Sequence, residues 1–319
     1  MNFISSIVLK SIHESGGSTY QFLSHAKLYL MSFPVHQLPA TEFPSQLREI
    51  PQPPQELYYR GTLPPKHLKL LTVVGSRKYT TYGKQVVDEL ITGLAGYPIG
   101  IVSGLALGID SLAHEAALKA GLYTLAIPGS GVDDSVLYPA AHKPLAQRIL
   151  QAGGGLLNEF APTFQATKWS FPQRNRLVAG ISHAVLLIEA GEKSGTLITA
   201  RMAADYNREL LVVPGSIFSS NSRGVHQFLK LGATPVTTSA DILEVFSLSE
   251  TDPVHRQTQP TLPTLSATEQ LVLECLHEPI HRDELIRQLA LPISEAAQLL
   301  MMMELTDHIH CDNNMYRRK

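Results

Sequence analysis

The sequence predicts an α/β protein in which a doubly wound, mostly parallel sheet is followed by a small C-terminal winged helix. Two observations carry the sheet. Between Leu57 and Phe246 short apolar runs alternate with helical stretches, and most runs are bounded by glycine, proline or polar residues. Such runs suit parallel strands covered on both faces, and alternation of this length suits helices packed on each side of one sheet. A third observation carries the winged helix: three short amphipathic stretches precede two segments that a turn could join as a β-hairpin.

Taken in order, residues 1–42 show weak helical patterning and no chemical motif, and read as a separate N-terminal segment. The apolar run from Phe3 to Leu9 is too short to span a membrane and is followed at once by Lys10. Within the main domain, residues 43–247, Pro51-Gln52-Pro53-Pro54 reads as an extended entry. Strands are expected at Leu70–Val74, Ile99–Ser103, Thr124–Pro128, Leu156–Glu159, Ala184–Glu189 and Leu210–Val213. Helices separate them, for example Gln85–Ala95, Ser111–Lys119, Leu145–Gln151 and Leu197–Asn207. Residues 248–265, rich in Ser, Thr, Pro and Gln, read as a linker. Residues 266–319 then hold helices at Ala267–Leu276, Arg282–Leu289 and Ser294–Leu305, with Ser294 expected as the N-cap of the last. Strands His308–His310 and Met315–Arg317 flank the turn Asp312-Asn313-Asn314.

Composition narrows the function classes. A chain of 319 residues has room for two domains, and 44% hydrophobic with 17% charged residues excludes a mainly disordered protein. The net charge of −2 excludes a uniformly basic nucleic-acid coat, so any such role needs a local basic patch. The two cysteines, Cys275 and Cys311, lack metal-ligand spacing and suit a reducing cytoplasm.

Ligands of open α/β sheets bind beyond the carboxyl ends of the strands, so those ends are where chemistry is sought. The first strand runs into Gly75-Ser76-Arg77, the second into Ser103-Gly104-Leu105-Ala106-Leu107-Gly108-Ile109-Asp110, and the third into Gly129-Ser130-Gly131. The fifth leads through Glu189-Ala190 to Lys193-Ser194-Gly195-Thr196, and the sixth into Pro214-Gly215-Ser216. Small residues there leave backbone N–H groups bare near helix starts, which favours phosphate. After the fourth strand comes Lys168-Trp169-Ser170-Phe171-Pro172-Gln173-Arg174-Asn175-Arg176, three cations and two rings in nine residues. Rings stack on bases and cations neutralise phosphates, a pairing suited to single-stranded nucleic acid; an exposed loop with a packed Phe is the plainer alternative.

Nucleotide-using enzymes compete for the same fold. A Gly-x-Gly-x-x-Gly fingerprint, a Gly-x-x-x-x-Gly-Lys-Ser/Thr loop, a Gly-x-Ser-x-Gly elbow and a convincing metal cluster among the 13 histidines are all missing from the sequence, so no cofactor or metal is expected. Asp110 and His114 could form an acid–base pair, but read more simply as a helix-start acid and a structural hydrogen bond. Glu189 reads as a helix-end hydrogen-bond partner for a nearby arginine rather than a catalytic carboxylate.

In order along the chain, Val74-Gly75-Ser76-Arg77, Ser103-Gly104-x-Ala106-x-Gly108-Ile109-Asp110, Phe171-Pro172-x-Arg174-Asn175-Arg176, Glu189-Ala190 and Ser194-Gly195-Thr196-Leu197-Ile198-Thr199-Ala200 resemble the DNA-processing protein A family (DprA, also called Smf). The likeness runs from about Phe43 to Ala240, and the C-terminal unit resembles the winged helix of many members. It implies an extended Rossmann-like domain that binds single-stranded DNA, forms a homodimer, protects incoming strands in natural transformation and helps load the RecA recombinase, without catalysis. By position, Ser76 and Arg77 match the phosphate-gripping loop and Lys168 the basic residue three before the ring. Phe171 matches the base-contacting ring, and Arg174, Asn175 and Arg176 the helix entry of the pocket. Gly75, Ser103, Gly104, Ser194, Gly195 and Thr196 complete the expected DNA-binding set. Gly224-Val225-His226 stands where members carry Gly-x-Asn, so no site is assigned there.

Two other classes stay in view. One is a nucleotide phosphoribohydrolase of the lysine-decarboxylase-like type, whose Pro-Gly-Gly-x-Gly-Thr would replace Gly191-Glu192-Lys193-Ser194-Gly195-Thr196. The other is a nucleotide-sensing regulator whose winged helix reads duplex DNA, although Ser294–Leu305 contains Glu295 and Glu304 and no Lys or Arg. On the family reading, a base on Phe171 and phosphates on Arg77 and Lys168 would give capture with little sequence preference.

Overall fold

The computed structural model describes residues 33–248, 267–276, 278–289, 291–305, 308–312 and 314–318. Most of the expected N-terminal segment and of the linker lies outside the described residues. The chain divides into two units, one up to His255 and one from Arg256.

The first unit is built on a nine-stranded sheet in the order β1-β2-β6-β5-β4-β3-β7-β8-β9. Its strands are β1 (His36–Leu38), β2 (Leu57–Gly61), β3 (Lys69–Val74), β4 (Ile99–Ser103), β5 (Tyr123–Ala126), β6 (Gly155–Asn158), β7 (Ala184–Leu187), β8 (Glu209–Val212) and β9 (Thr234–Pro235). Neighbours from β6 to β9 are parallel, whereas β2 runs antiparallel to β6 and β1 antiparallel to β2. All six expected strands are present. The Pro-rich entry leads into β2, a strand not anticipated, and β1 carries the sheet back to His36, ahead of the expected boundary at 43. These two strands cover the free side of β6 (Tyr58 opposite Asn158, Gly61 opposite Gly155).

The helices are α1 (Ser45–Arg48), α2 (Thr81–Thr92), α3 (Ile109–Lys119), α4 (Lys143–Gln151), α5 (Ser170–Gly180), α6 (Thr196–Asp205), α7 (Arg223–Lys230) and α8 (Ser239–Val245). Side chains of a strand alternate between faces, so β3 serves two cores at once. Leu70 and Val74 pack with Leu177 and Val178 of α5 and Ala200 of α6. Leu71 and Val73 pack with Val87 and Leu90 of α2, Ala113 of α3 and Ile242 of α8. Each fully buried aliphatic side chain contributes about 1.5–3 kcal/mol, enough for a sheet sealed on both faces. Between them Thr72 is polar and wholly buried, and its hydroxyl donates to Val178 O of α5 at 2.8 Å. At the β6 side, Ala126 and Leu156 pack with Leu145 and Ile149 of α4.

Helix starts follow local chemistry. Thr80 Oγ1 accepts from Gly83 N–H at 3.2 Å to cap α2, and Thr238 with Asp241 forms a reciprocal capping box at α8. Gly108, at φ 91°, opens α3; a Cβ there would lie 2.3 Å from Ser76 O. Only glycine fits that approach.

The second unit contains α9 (Ala267–Cys275), β10 (Ile280–His281), α10 (Arg282–Leu289), α11 (Ile293–Leu305), β11 (Ile309–Asp312) and β12 (Met315–Arg318). Its sheet, in the order β10-β12-β11, is antiparallel, with Cys311 opposite Tyr316. Val272, Leu285, Leu300, Met303 and Tyr316 form its core. The hairpin and helices were legible, but Ser294 is not an N-cap. Ala296 N–H bonds Pro292 O at 2.9 Å, so the helix begins a residue earlier, where proline is tolerated for want of an N–H to satisfy. Met303 is buried in that core, whereas Met301 is 63% and Met302 51% exposed.

His114 of α3 is fully buried, with Nδ1 2.7 Å from Thr124 Oγ1 of β5. Burial, together with His142 and Arg174 nearby, pulls its pKa down to about 3. The folded value lies below the ordinary one near 6.5, so its contribution is intact above that pH and is lost as pH falls toward 3. Urea denaturation of the chain and of His114→Gln between pH 6 and pH 4 should show the parent losing about 1.4 kcal/mol more per pH unit. Parallel curves would mean that this histidine takes up its proton within the fold.

Candidate nucleic-acid interface

Because β3 to β9 run the same way, their carboxyl ends open on one edge of the sheet, and the loops that follow meet there. The loop after β3 is the centre. Gly75 is buried, and a Cβ on it would press 2.6 Å from the Ile109 side chain, so this loop lies directly on the start of α3. Ser76 O accepts from Ile109 N–H at 3.2 Å, and Ser76 Oγ accepts from Lys78 N–H at 3.0 Å. From the far side, Thr196 Oγ1 at the start of α6 donates to Gly75 O at 3.0 Å, while Ser194 Oγ accepts from Thr196 N–H at 3.2 Å. Gly195 beside them is exposed. Loops following β3, β4 and β7 are thereby tied into one surface.

Arg77 leaves this loop exposed, and its guanidinium carbon sits over the Phe171 ring, 5.4 Å from the centroid. Phe171, in the first turn of α5, is half-buried. Its seat is Gly129 after β5, where a Cβ would come within 2.5 Å of the ring, and Tyr138 leans against it at 5.7 Å between centroids. Lys168 is exposed just before α5. Among the described residues, no ion pair engages Arg77 or Lys168. Both cations are therefore free to meet an anion.

The other expected residues have internal partners. Ser103 is buried and donates its hydroxyl to Val73 O at 2.7 Å, joining β4 to β3. Arg174 was expected at the pocket entry, yet it is 3% exposed and its guanidinium donates to Gly104 O and Ile127 O. Asp110, also buried, accepts from Gly104 N–H at 3.1 Å. A Cβ on Gly104 would fall 2.5 Å from Arg174 and 2.6 Å from Asp110, so glycine makes room for this charged contact. Burial pulls the Arg174 pKa down to about 10 and pushes that of Asp110 up, each opposed by the other's charge. Asn175 Oδ1 accepts from Arg174 Nε at 3.1 Å. Arg176 is turned inward as well, onto Glu159 after β6 and the carbonyl of Gln52 in the Pro-rich entry. A cation buried this way completes unsatisfied carbonyls and carboxylates, which decides the orientation against solvent.

Glu189 differs from expectation too. It accepts from Thr80 N–H at 2.9 Å and Thr80 Oγ1–H at 2.6 Å, and so holds the cap of α2 rather than an arginine. Asp110 and His114 serve separate partners, as structural hydrogen bonds. Reading the sequence missed Tyr138, 50% exposed, and the support of Phe171 by Gly129. An exposed tyrosine soon after Gly129-Ser130-Gly131 was the available signal.

Fold and edge together define a Rossmann-like α/β protein with a separate winged-helix unit, in which Arg77, Lys168 and the half-buried ring of Phe171 lie in loops and a helix start at the carboxyl ends of the strands. A family model described as DNA recombination-mediator protein A matches residues 35–247, and one for the DprA winged helix domain matches residues 256–312. The chain belongs to the DNA recombination-mediator protein A family. It is 38% identical to DNA processing protein DprA of Streptococcus pneumoniae over 223 residues, 70% of this chain and 78% of that protein. It is also 38% identical to protein Smf of Escherichia coli over 211 residues, which span 66% of this chain but only 56% of that longer relative. Among solved structures, DprA of S. pneumoniae superposes with TM-score 0.61 at 37% identity, covering 69% of this chain and 77% of that one. DNA processing protein A of Helicobacter pylori, studied for its single-stranded DNA binding mode, superposes with TM-score 0.60 at 30% identity, covering 67% and 96%.

The division between internal and free cations is measurable as stability. Arg174→Ala should lower the unfolding free energy by about 3–5 kcal/mol, since it strands Asp110 and two carbonyls inside. Arg77→Glu and Lys168→Glu should cost less than about 1 kcal/mol. Equal losses in chemical denaturation would show Arg77 to be structural.

Proposed function

We propose that this chain binds single-stranded DNA through the carboxyl edge of its sheet, and acts as a recombination mediator rather than as a catalyst. The observation that carries it is the stacking of exposed Arg77 over half-buried Phe171, within a surface of glycine turns and next to exposed Lys168. Backbone N–H groups of the Gly75 and Gly195 loops would hold phosphates, Ser76, Ser194 and Thr196 would lend hydroxyls, and Arg77 and Lys168 would displace counterions. Asn175 and Gly104 would shape the pocket, while Ser103, Arg174 and Arg176 act from within by holding its walls. A duplex keeps its bases stacked inside and cannot use the ring, so preference for a single strand follows. The single-strand binding studied in the H. pylori relative supports this reading.

In this reading the protein is a cytoplasmic homodimer that protects incoming DNA and helps load the RecA recombinase during natural transformation. Two subunits on one strand would add avidity to a site with few cations. Ile217 and Phe218, 74% and 90% exposed in the loop after β8, are candidates for the dimer surface. Binding is assigned to the sheet domain, and an accessory or protein-contact role to the winged helix, whose α11 carries Glu295 and Glu304 and no cation. Among the described residues, no helix is long and apolar enough to cross a membrane.

Fluorescence anisotropy with a labelled oligo(dT) and a duplex of equal length tests the reading. The single strand should bind more tightly by at least tenfold, and Arg77→Glu or Lys168→Glu should remove that preference without unfolding. Phe171→Ala should weaken binding by about 1–3 kcal/mol while leaving the salt slope unchanged, because a ring releases no counterions. Equal affinity for duplex would sink the proposal.

A further inference from the structure

We propose that Trp169 is a second stacking face for an unpaired base, seated separately from Phe171. The inference rests on the single-strand reading above. Trp169 is the chain's only tryptophan, and 54% of it is exposed. A large aromatic side chain is ordinarily drawn into a core or an interface, so an indole left this open needs an explanation. It is not loosely held. Phe160 meets it edge-on at 5.7 Å and 89°, and Phe164 at 5.5 Å and 61°. Those two rings stack on each other at 4.6 Å and 28°, and Phe160 is itself buried. Trp169 therefore has its orientation set in advance by two neighbours and still presents surface to water. Such a face orders little when a base lands on it, which favours binding.

Phe171 is differently placed. Gly129 lies beneath it, Tyr138 beside it and the Arg77 guanidinium over it, so a base arriving there has to share the ring with a cation. Among the described residues no cation lies over the indole. The supports of the two rings also belong to different parts of the edge. Phe160 and Phe164, which follow β6, hold Trp169, whereas Gly129, which follows the neighbouring β5, and Tyr138 hold Phe171. The exposed ammonium of Lys168, adjacent in sequence, supplies the charge that pairs with the backbone of a strand stacked on the indole. That cation points to a polyanion with open bases as the occupant, rather than to an apolar protein surface.

The sole indole is its own reporter. The full chain is titrated with labelled oligo(dT) and with an abasic strand of the same length, reading tryptophan emission and anisotropy together. Oligo(dT) should quench the emission with the midpoint seen by anisotropy, and the abasic strand should bind without quenching. Trp169→Ala should weaken oligo(dT) binding roughly 5- to 150-fold at unchanged salt slope, and Trp169→Phe should retain most of the affinity. Binding by anisotropy without quenching, or a Trp169→Ala variant that binds like the parent, overturns the second face and leaves the single-strand reading standing. Absence of any oligo(dT) binding overturns both.

Discussion

The guanidinium of Arg174, buried under α5, donates to the carbonyls of Gly104 and Ile127, and so fastens the helix to the carboxyl ends of β4 and β5. Asp110, held by the Gly104 N–H, balances its charge and begins α3. Around this ion lie Gly104, which leaves it space, and Gly108, which lets Ser76 O come close. Phe171 stands one turn before Arg174, so the position of the ring follows from the position of the buried cation. Arg176, two residues further along, ties the same helix to Glu159 and to the chain entering β2. A motif that reads as positive charge is thus mostly architecture.

The edge consequently separates two tasks. Geometry is fixed by buried ions and by backbone contacts between loops, while in the proposed function affinity is left to Arg77, Lys168 and rings that reach solvent. The net charge of −2 fits the proposed function, in which attraction to a polyanion would be concentrated in a few cations without an ion pair. Glu189 contributes indirectly: both its carboxylate oxygens are engaged by Thr80 at the start of α2, so in the proposed function this acid at the end of β7 would not face the phosphates.

Much of this was legible because parallel strands buried on both faces give continuous apolar runs, such as Leu70 to Val74, and glycine marks their ends. β2 was hidden because Leu57-Tyr58-Tyr59-Arg60-Gly61 follows prolines and does not alternate: its two buried residues, Leu57 and Arg60, lie on opposite faces, and one of them is charged. β1, three residues long, gives no periodicity to detect. The fate of Arg174 and Arg176 was not legible, since a cation's sequence neighbours do not reveal whether it meets carbonyls or water. Their spacing of two along a helix start offered the one hint, as did Glu159 ending a strand. The partner of Glu189 was misjudged for the same reason: Thr80 is distant in sequence and adjacent only through β3 and β7 pairing.

At the opposite border the sheet stops at β9, a strand of two residues whose last member is Pro235, paired with Val212. Proline offers no amide hydrogen outward, and two residues are too few to template another strand. At the other border lies β1, only three residues long. Among the described residues neither rim offers the long, flat edge that a foreign β-segment would extend, so in the proposed function copies of the protein crowded along one strand would meet through side chains and could separate again, instead of zipping into a continuous ribbon.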